Sequence, residues 1–176
     1  MRAAPHVTLE RLGERHLADM AALVTDADVL RYTRIPEPVP DGFVAGWLER
    51  YEAGHLDGTC EGFAALDEQG GFLGLGLAVA IDREAGEVEL GYIVAAGARG
   101  RGVASELLRR LTAWALDELG AQRVVLIVDI ENAASSRVAA RAGYVREGVM
   151  RSIHVKDGVR RDAELWSRLP SDEHPA

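Results

Sequence analysis

Two arginines alternate with glycines in the stretch A-A-G-A-R-G-R-G-V-A, which separates an apolar segment from an amphipathic one. Glycine lets a backbone turn tightly and approach a ligand closely, because no Cβ stands in the way. The amphipathic segment is typical of a helix that begins near Gly102, with its free N–H groups and positive dipole end facing the loop. Arg99 and Arg101 add forked, charged donors that suit phosphate. The pattern predicts a pyrophosphate-binding loop at a strand-to-helix turn.

Other interpretations of this loop fit the sequence less well. A dinucleotide-binding fingerprint requires a third glycine where Ser105 stands, and a second βα unit that is absent. A phosphate loop ending in G-K-[ST] has no counterpart in the sequence. A glycine-rich turn with solvated arginines needs no ligand, but the helix N-terminus directly behind the loop favours an anion site.

Composition and charge limit the classes of function. The chain has 176 residues, a formal net charge of −8, 48% apolar and 27% charged residues, which is ordinary for a globular protein. We expect one domain over residues 1–169 and a disordered tail over residues 170–176. The acidic balance argues against nucleic-acid binding and suits a cationic substrate. There is no apolar run long enough for a membrane span and no signal-peptide pattern, so no membrane partner is expected.

The few histidines and the single cysteine predict no metal site. His6, His16 and His55 lack metal-ligand spacing and are predicted to lie at the surface. Cys60, the only cysteine, allows no internal disulfide and is interpreted as a small hydrophobe. A cytoplasmic location fits this cysteine usage.

Apolar periodicity predicts the order β, two or three helices, β-β-β, α, β, α, β-β. The predicted strands cover residues 7–12, 62–66, 71–81, 87–95, 123–130, 144–154 and 159–169. The predicted helices cover residues 14–24, a short segment ending at residue 32, and residues 42–53, 102–119 and 131–142. Asp26 or Asp28 is predicted to cap the second helix and Asp41 the third. Asp157-Gly158 predicts a type I′ hairpin turn between the last two strands.

Two motifs in this order resemble those of a known superfamily. Its loop is Q/R-x-x-G-x-G/A, and the matching positions here are Arg99, Gly100, Gly102 and Ala104. Its second motif is N-x-x-S/A-x-x-L/V followed by a G-F/Y pair, and the matching positions are Asn132, Ser135, Val138, Gly143 and Tyr144. Over residues 7–169 the chain resembles the GNAT superfamily of acyl-CoA-dependent N-acyltransferases. The stretch over residues 26–40 and the closing hairpin resemble the RimJ/RimL branch, which includes enzymes that acetylate the N-termini of ribosomal proteins.

The resemblance implies a fold and a co-substrate. The fold would be α/β (α+β), with a mixed, largely antiparallel sheet of about seven strands flanked by four or five helices. Acetyl-CoA would bind where the third and fourth long strands splay apart, and no metal would be needed. Backbone groups of Ile93, Val94 and Ala95 would bind the pantetheine arm, and one N–H there would polarise the thioester carbonyl. The remaining implied cofactor-binding residues are Arg99, Gly100, Arg101, Gly102, Val103, Ala104, Asn132 and Ser135, although Asn132 also fits a plain N-cap.

Two residues are candidates for the base that deprotonates the acceptor amine. Glu89 stands in an otherwise apolar strand, where burial would raise its pKa toward the working range, and many family members keep a carboxylate there. The alternative is a surface glutamate, because strand alternation puts Glu87 on the same face. His154 is the rival, with a reference pKa near ~6.5 and a place on a strand that borders the groove in this fold.

The sequence leaves three alternatives for the group that assists the leaving thiolate. Many family members carry a tyrosine acid where Ala139 stands. Ser135 or Tyr144 could substitute, or no acid is required, because a thiol of pKa near ~8.5 leaves readily as the anion.

The function implied is direct transfer of an acetyl group to a small-molecule amine or a protein N-terminus. A non-catalytic acyl-CoA sensor and a transferase for a longer acyl-CoA stay open as alternatives. A homodimer through the terminal strands would follow common family behaviour.

Overall fold

The predicted strands form one sheet in the computed structural model, which describes residues 5–172. Within those residues the sheet has seven strands in the order β1-β2-β3-β4-β5-β7-β6. The strands are β1 (Thr8–Arg11), β2 (Glu61–Leu66), β3 (Phe72–Asp82), β4 (Glu87–Val94), β5 (Arg123–Asp129), β6 (Val145–Lys156) and β7 (Val159–Arg168).

Five α-helices flank this sheet in the described part of the chain. They are α1 (Leu17–Leu23), α2 (Ala27–Tyr32), α3 (Phe43–Asp57), α4 (Val103–Ala113) and α5 (Ala133–Arg141). A 3₁₀ turn at Glu14–His16 precedes α1, and a π-helical turn at Trp114–Glu118 continues α4. The mixed, largely antiparallel sheet with its flanking helices confirms the predicted fold class.

Each face of the sheet carries its own apolar core. The α4 leucines Leu107, Leu108 and Leu111 are fully buried on one face, with Ala139 of α5. Helices α1, α2 and α3 cover the other face, where Met20 is fully buried. Strand β4 contributes to both cores because its side chains alternate between the faces.

Local signals predicted most element ends correctly. Asp26 caps α2, since its Oδ1 accepts hydrogen bonds from the amides of Asp28 and Val29. Gly143 follows α5 at φ 80°, and the amide of Tyr144 reaches back to the Ala139 carbonyl at 3.1 Å in a Schellman motif.

The last two strands are joined by the turn that the sequence predicts. Asp157 and Gly158 have φ of 50° and 77°, and strands β6 and β7 pair directly on either side of them. Positive φ at both central residues defines a type I′ turn.

Two local predictions are wrong. The N-cap of α3 is Gly42, at φ 75°, and not Asp41. The chain turns one residue later than the Asp41 prediction requires, because glycine enters the left-handed region without a Cβ penalty. His16 is buried rather than exposed, since its Nε2 lies 3.0 Å from Glu10 Oε1 and its Nδ1 accepts a hydrogen bond from the Gly13 amide.

The C-terminal segment is described only in part. Residues 170–172 form a turn in which the Asp172 amide donates to the Leu169 carbonyl. The remainder of the predicted tail, residues 173–176, lies outside the described residues. Between residues 5 and 172, no helix combines the length and apolar character that crossing a membrane requires.

Candidate active site

The loop between β4 and α4 is a strand-to-helix turn, as predicted. A 3₁₀ turn at Ala96–Ala98 follows β4, and Gly102 is the N-cap of α4. Gly100 and Gly102 have φ of 70° and 84°, which glycine adopts without a Cβ penalty. A Cβ added at Gly100 would meet no atom within 4 Å, so the space beside the turn is open. Because α4 has no side-chain cap, its first amides are available to a bound anion.

The Arg99 side chain is engaged by protein groups. Its Nε donates to the Val94 carbonyl at 3.1 Å, and its terminal nitrogens lie 3.0 Å from Asp26 Oδ2 and 3.1 Å from Asp28 Oδ2. Burial on its own would raise the pKa of Asp26, but hydrogen bonds from Arg99 and backbone amides hold it below its usual value. Arg99 therefore fastens the loop to β4 and α2. Its backbone amide donates to the Ala96 carbonyl at 3.3 Å, so the amides placed to meet an anion are those at the start of α4.

Arg101 differs from Arg99 in its surroundings. It is exposed, and its Nη1 lies 3.4 Å from the Gly97 carbonyl, at the limit of a hydrogen bond. Of the two arginines in the loop, Arg101 has the side chain better placed to approach a phosphate from solvent.

Strands β4 and β5 form the gap that the resemblance implies. They pair in parallel from Glu87 and Arg123 up to Leu90 and Leu126, and the pairing ends there. Beyond Leu90, the β5 side of β4 has no strand partner in the described chain. Apart from the Val94 carbonyl, which accepts from Arg99 Nε, its backbone groups on that side are open to a ligand that pairs as a strand would.

Of the predicted pantetheine residues, Val94 offers its amide to this gap. The Ala95 amide donates to the Leu73 carbonyl on β3 at 2.9 Å. Because successive residues of a strand direct their amides to opposite sides, the Val94 amide points away from β3. Ile93 is buried under α1–α3, and its amide points to β3 by the same alternation.

Glu89 lies on β4 opposite Val125, beside the end of the parallel pairing. Its side chain is 23% exposed, and its Oε1 lies 3.6 Å from Arg34 Nη2. Burial raises the pKa of Glu89, and Glu87 adds to this, although the Arg34 charge partly opposes both. A half-buried carboxylate with a raised pKa beside the gap has the properties of a general base.

Glu87 has a different environment from Glu89, although both belong to the same strand. Its Oε2 accepts a hydrogen bond from Arg123 Nε at 2.8 Å, at the outer end of β4. Arg123 also binds both oxygens of Glu147, at 2.6 and 2.7 Å. Glu87 is thus part of an ion-pair network, and only Glu89 of the two stands next to the gap.

His154 lies on β6 opposite Arg161, directly after an irregularity in the pairing of β6 with β7. Burial lowers its pKa and Arg34 lowers it further, while Asp129 opposes the change. A histidine with a lowered pKa is neutral at pH 7 and can accept a proton. His154 therefore remains a base candidate beside Glu89.

Arg34 was missed by sequence reasoning. Its charge acts on the pKa values of both Glu89 and His154, which places these two candidates in one electrostatic environment. It follows α2 in an irregular segment, where no periodicity indicates the direction of a side chain.

The start of α5 holds the second predicted group of residues. Asn132 is the N-cap of α5, with its Oδ1 accepting from the Ser135 amide at 3.1 Å. Tyr144, a suggested acid, is buried with its hydroxyl 2.7 Å from that of Thr112, and burial raises its pKa. This pairing leaves Tyr144 poorly suited to assist a leaving group, and Ser135 stays a candidate.

The proline-rich segment, residues 35–40, contacts the last hairpin. The Glu37 amide donates to Asp157 Oδ1 at 3.4 Å, and Glu37 Oε1 lies 3.4 Å from the buried Lys156 Nζ. These contacts join residues 35–40 to the end of β6 and the turn that follows it. Among residues 5–172, no cluster of three or more His, Cys, Asp or Glu side chains could hold a metal ion.

Comparison with known proteins connects this geometry with one family. A family model described as "Acetyltransferase (GNAT) domain" matches residues 6–145. A protein of Bacillus subtilis (strain 168), provisionally named ribosomal N-acetyltransferase YdaF, is 28% identical over 152 residues, covering 82% of this chain and 72% of the relative. The uncharacterized N-acetyltransferase p20 of Bacillus licheniformis is 25% identical over 149 residues, covering 82% of each chain.

Solved structures with the same fold include two complexes with CoA. Spermidine N-acetyltransferase from Vibrio cholerae, with CoA and spermine, superposes with a TM-score of 0.83 at 23% identity, covering 94% of this chain and 96% of that one. RimL, a ribosomal L7/L12 alpha-N-protein acetyltransferase with CoA, superposes with a TM-score of 0.85 at 20% identity, covering 96% of each.

Proposed function

Because the chain belongs to the GNAT acetyltransferase family, and is thereby an acyltransferase, we propose that it transfers an acetyl group from acetyl-CoA directly to a primary amine. The observation that carries this proposal is the arrangement along β4. The strand passes Glu89, loses its β5 partner after Leu90 and ends at Val94, and the Gly100–Gly102 turn follows after one 3₁₀ turn. A candidate base, an open strand edge and a candidate anion site thus follow one another along one continuous stretch of the chain.

This arrangement fits the parts of acetyl-CoA. Amides of the turn and of the first turn of α4 would hold the pyrophosphate, with Arg101 beside them. The open edge of β4 would pair with the amides of the pantetheine arm. The Val94 amide would donate to the thioester oxygen and stabilise the negative charge that develops there.

Glu89 would prepare the acceptor. A protein α-amine has a pKa of ~7.7–8.0 and a lysine-type amine one of ~10.4, so both need to lose a proton before attack. Glu89, acting through a water molecule, would accept that proton, and the neutral amine would then attack the carbonyl carbon. The tetrahedral intermediate then collapses, the C–S bond breaks and the acetylated amine is formed.

We propose a cationic acceptor, either a small polyamine-like molecule or a protein N-terminus. Two structural neighbours support these classes, one crystallised with spermine and one named for ribosomal L7/L12. Acidic side chains that lie near Arg34 and His154 include Glu89 and Asp129. Basic Arg34 and Arg161 lie among them, so charge alone does not choose between the two acceptors.

A thiol-release assay tests the function. Purified protein is expected to release CoA from acetyl-CoA in the presence of at least one member of an amine panel of polyamines, aminoglycosides and peptides with free N-termini. Succinyl-CoA and propionyl-CoA, run in parallel, test the acyl chain. CoA binding without turnover on any amine would contradict the proposal and favour the acyl-CoA sensor.

We further propose that the enzyme is a homodimer paired along β6. This strand forms one edge of the sheet in the described chain, with exposed apolar side chains at Val145, Val149, Ile153 and Val155. A long apolar edge strand is a template for pairing with a second copy.

Light scattering after gel filtration is expected to give a dimer mass for the wild type and a monomer mass for a Val149→Lys/Ile153→Lys variant. The control is Leu56→Lys, which adds a charge at a leucine that is 84% exposed on α3. A monomeric wild type at micromolar concentration would contradict the proposal.

A further inference from the structure

One buried hydroxyl group beside the gap lacks a partner. The hydroxyl oxygen of Tyr92 is shielded from solvent and forms no hydrogen bond with any residue in the range 5–172. A buried polar group without a partner costs free energy, and such groups in native proteins call for an explanation. Tyr92 lies two residues after Leu90, where β4 has already lost its β5 partner.

The Tyr92 ring packs on the same core as α5. That core contains Val138 and the fully buried Ala139, the position where many family members carry a tyrosine acid. Ser135, one turn earlier on α5, is the polar neighbour of the Tyr92 hydroxyl. Burial raises the pKa of Tyr92 and the Ser135 side chain partly opposes this, although the two groups do not meet hydrogen-bond geometry.

We infer that the Tyr92 hydroxyl, carried on the strand, takes the place of the missing helix tyrosine and donates its hydrogen bond to the leaving sulfur. This inference rests on the proposed function. The other tyrosine hydroxyl on this face, that of Tyr144, is paired with Thr112. Tyr92 is therefore the tyrosine whose donor is unused and whose position borders the gap.

Each proton that moves during release of the CoA thiol has a donor and an acceptor. As the tetrahedral intermediate collapses, the C–S bond breaks and its electron pair stays on sulfur. The Tyr92 proton moves to that sulfur, which gives the CoA thiol, and the phenolate takes up a proton from solvent. The acceptor nitrogen loses one proton before attack and a second as the intermediate collapses, and both pass to solvent through Glu89, so the products are the amide and the free thiol.

A pair of matched variants tests this assignment by kinetics. Tyr92→Phe keeps the ring and removes only the hydroxyl, and is expected to lower kcat by about tenfold or more while the KM for acetyl-CoA changes little. Tyr144→Phe removes a paired hydroxyl from the same face and is expected to leave kcat unchanged. Melting curves of both variants establish that they remain folded.

A binding experiment tests the same contact without turnover. At pH 9 the thiol of CoA, with a pKa near ~8.5, is mostly the thiolate. The wild type is then expected to bind CoA more tightly than desulfo-CoA in calorimetry. Tyr92→Phe is expected to reduce that preference by about tenfold, with the affinity for desulfo-CoA unchanged.

The outcomes separate this inference from the proposed function. An unchanged preference for CoA in Tyr92→Phe overturns the Tyr92 assignment, even where the wild type acetylates amines. A reduced preference together with a wild type that acetylates no amine supports the contact and overturns the proposed function.

Discussion

Replacing Glu89 with glutamine is expected to lower kcat by roughly a hundredfold or more, the usual contribution of a general base. The amide keeps the shape of the side chain but cannot accept a proton from the acceptor amine. The affinity for acetyl-CoA is expected to stay within about twofold, because the loop and the β4 edge that would bind it are untouched. Steady-state kinetics and calorimetry measure the two quantities.

The dependence of the wild-type kcat on pH also tests whether Glu89 is the general base. A base must be deprotonated, so kcat is expected to rise as the pH increases through the pKa of Glu89, which burial holds above the usual 4.5. This acidic limb is expected to disappear in Glu89→Gln. For His154 the corresponding limb would lie below 6.5, so His154→Gln would remove the limb if histidine were the base.

Glu89→Gln is expected to stabilise the protein at neutral pH although it lowers kcat. Because the pKa of Glu89 is higher in the folded protein than in the unfolded chain, its contribution to stability is present below the unfolded pKa. That contribution is lost as the pH rises through the folded pKa. At neutral pH the buried carboxylate is therefore a cost, and Glu89→Gln is expected to raise Tm slightly.

Glu87→Gln is the matched control for this experiment. It makes the same chemical change two residues away on the same strand, where the carboxylate is bound to Arg123. Its kcat is expected to equal that of the wild type. If Glu89→Gln retains full kcat, Glu89 is not the base, and His154 takes its place as the candidate.

Replacing Gly74 with alanine is expected to lower the free energy of unfolding by about 2–3 kcal/mol, a typical cost of overpacking. Gly74 pairs with Val94 across β3 and β4. An added Cβ would overlap the carbonyl oxygen of Ile93 and lie 3.0 Å from the Val94 Cα. Both obstacles are backbone atoms, so β4 itself must move. Urea denaturation measures the loss.

The displaced segment is the one proposed to bind pantetheine. CoA binding to folded Gly74→Ala is therefore expected to weaken by roughly tenfold, as the loss of one hydrogen bond would produce. Gly148→Ala is the control, because a Cβ on this β6 glycine would meet no atom within 4 Å. If Gly74→Ala has the same free energy of unfolding as the wild type, the prediction is wrong and β3 and β4 move apart at little cost.

The sequence predicted the features that depend on neighbouring residues. The cap at Asp26, the glycine that ends α5 and the Asp157-Gly158 turn are each specified by the preferences of one or two residues. The loop between β4 and α4 belongs to the same class. Apolar periodicity then assigned the strands and helices between these ends, and the resemblance supplied the mixed, largely antiparallel sheet with its flanking helices.

Features that depend on distant residues could not be predicted in the same way. Arg99 was expected to face phosphate, but its partners Asp26 and Asp28 lie about 70 positions away in the sequence, at a separation of 71 for the second. Arg34 approaches Glu89 from an irregular segment whose path only the folded chain defines. Tyr92 stands in an apolar strand, and the sequence of that strand does not indicate that the Tyr92 hydroxyl lacks a hydrogen-bond partner.

The contacts of Arg99 connect the loop after β4 with α2, and through α2 with the surroundings of Glu89. One guanidinium holds the carbonyl of Val94 and the carboxylates of Asp26 and Asp28. A ligand that shifts the loop must also shift the start of α2 or break these bonds. Arg34 follows α2 in the chain, so a movement of α2 would also move Arg34. We therefore expect an anion bound at the proposed site to affect the surroundings of Glu89, and the reciprocity of coupled equilibria then requires the acceptor to return the effect by the same factor.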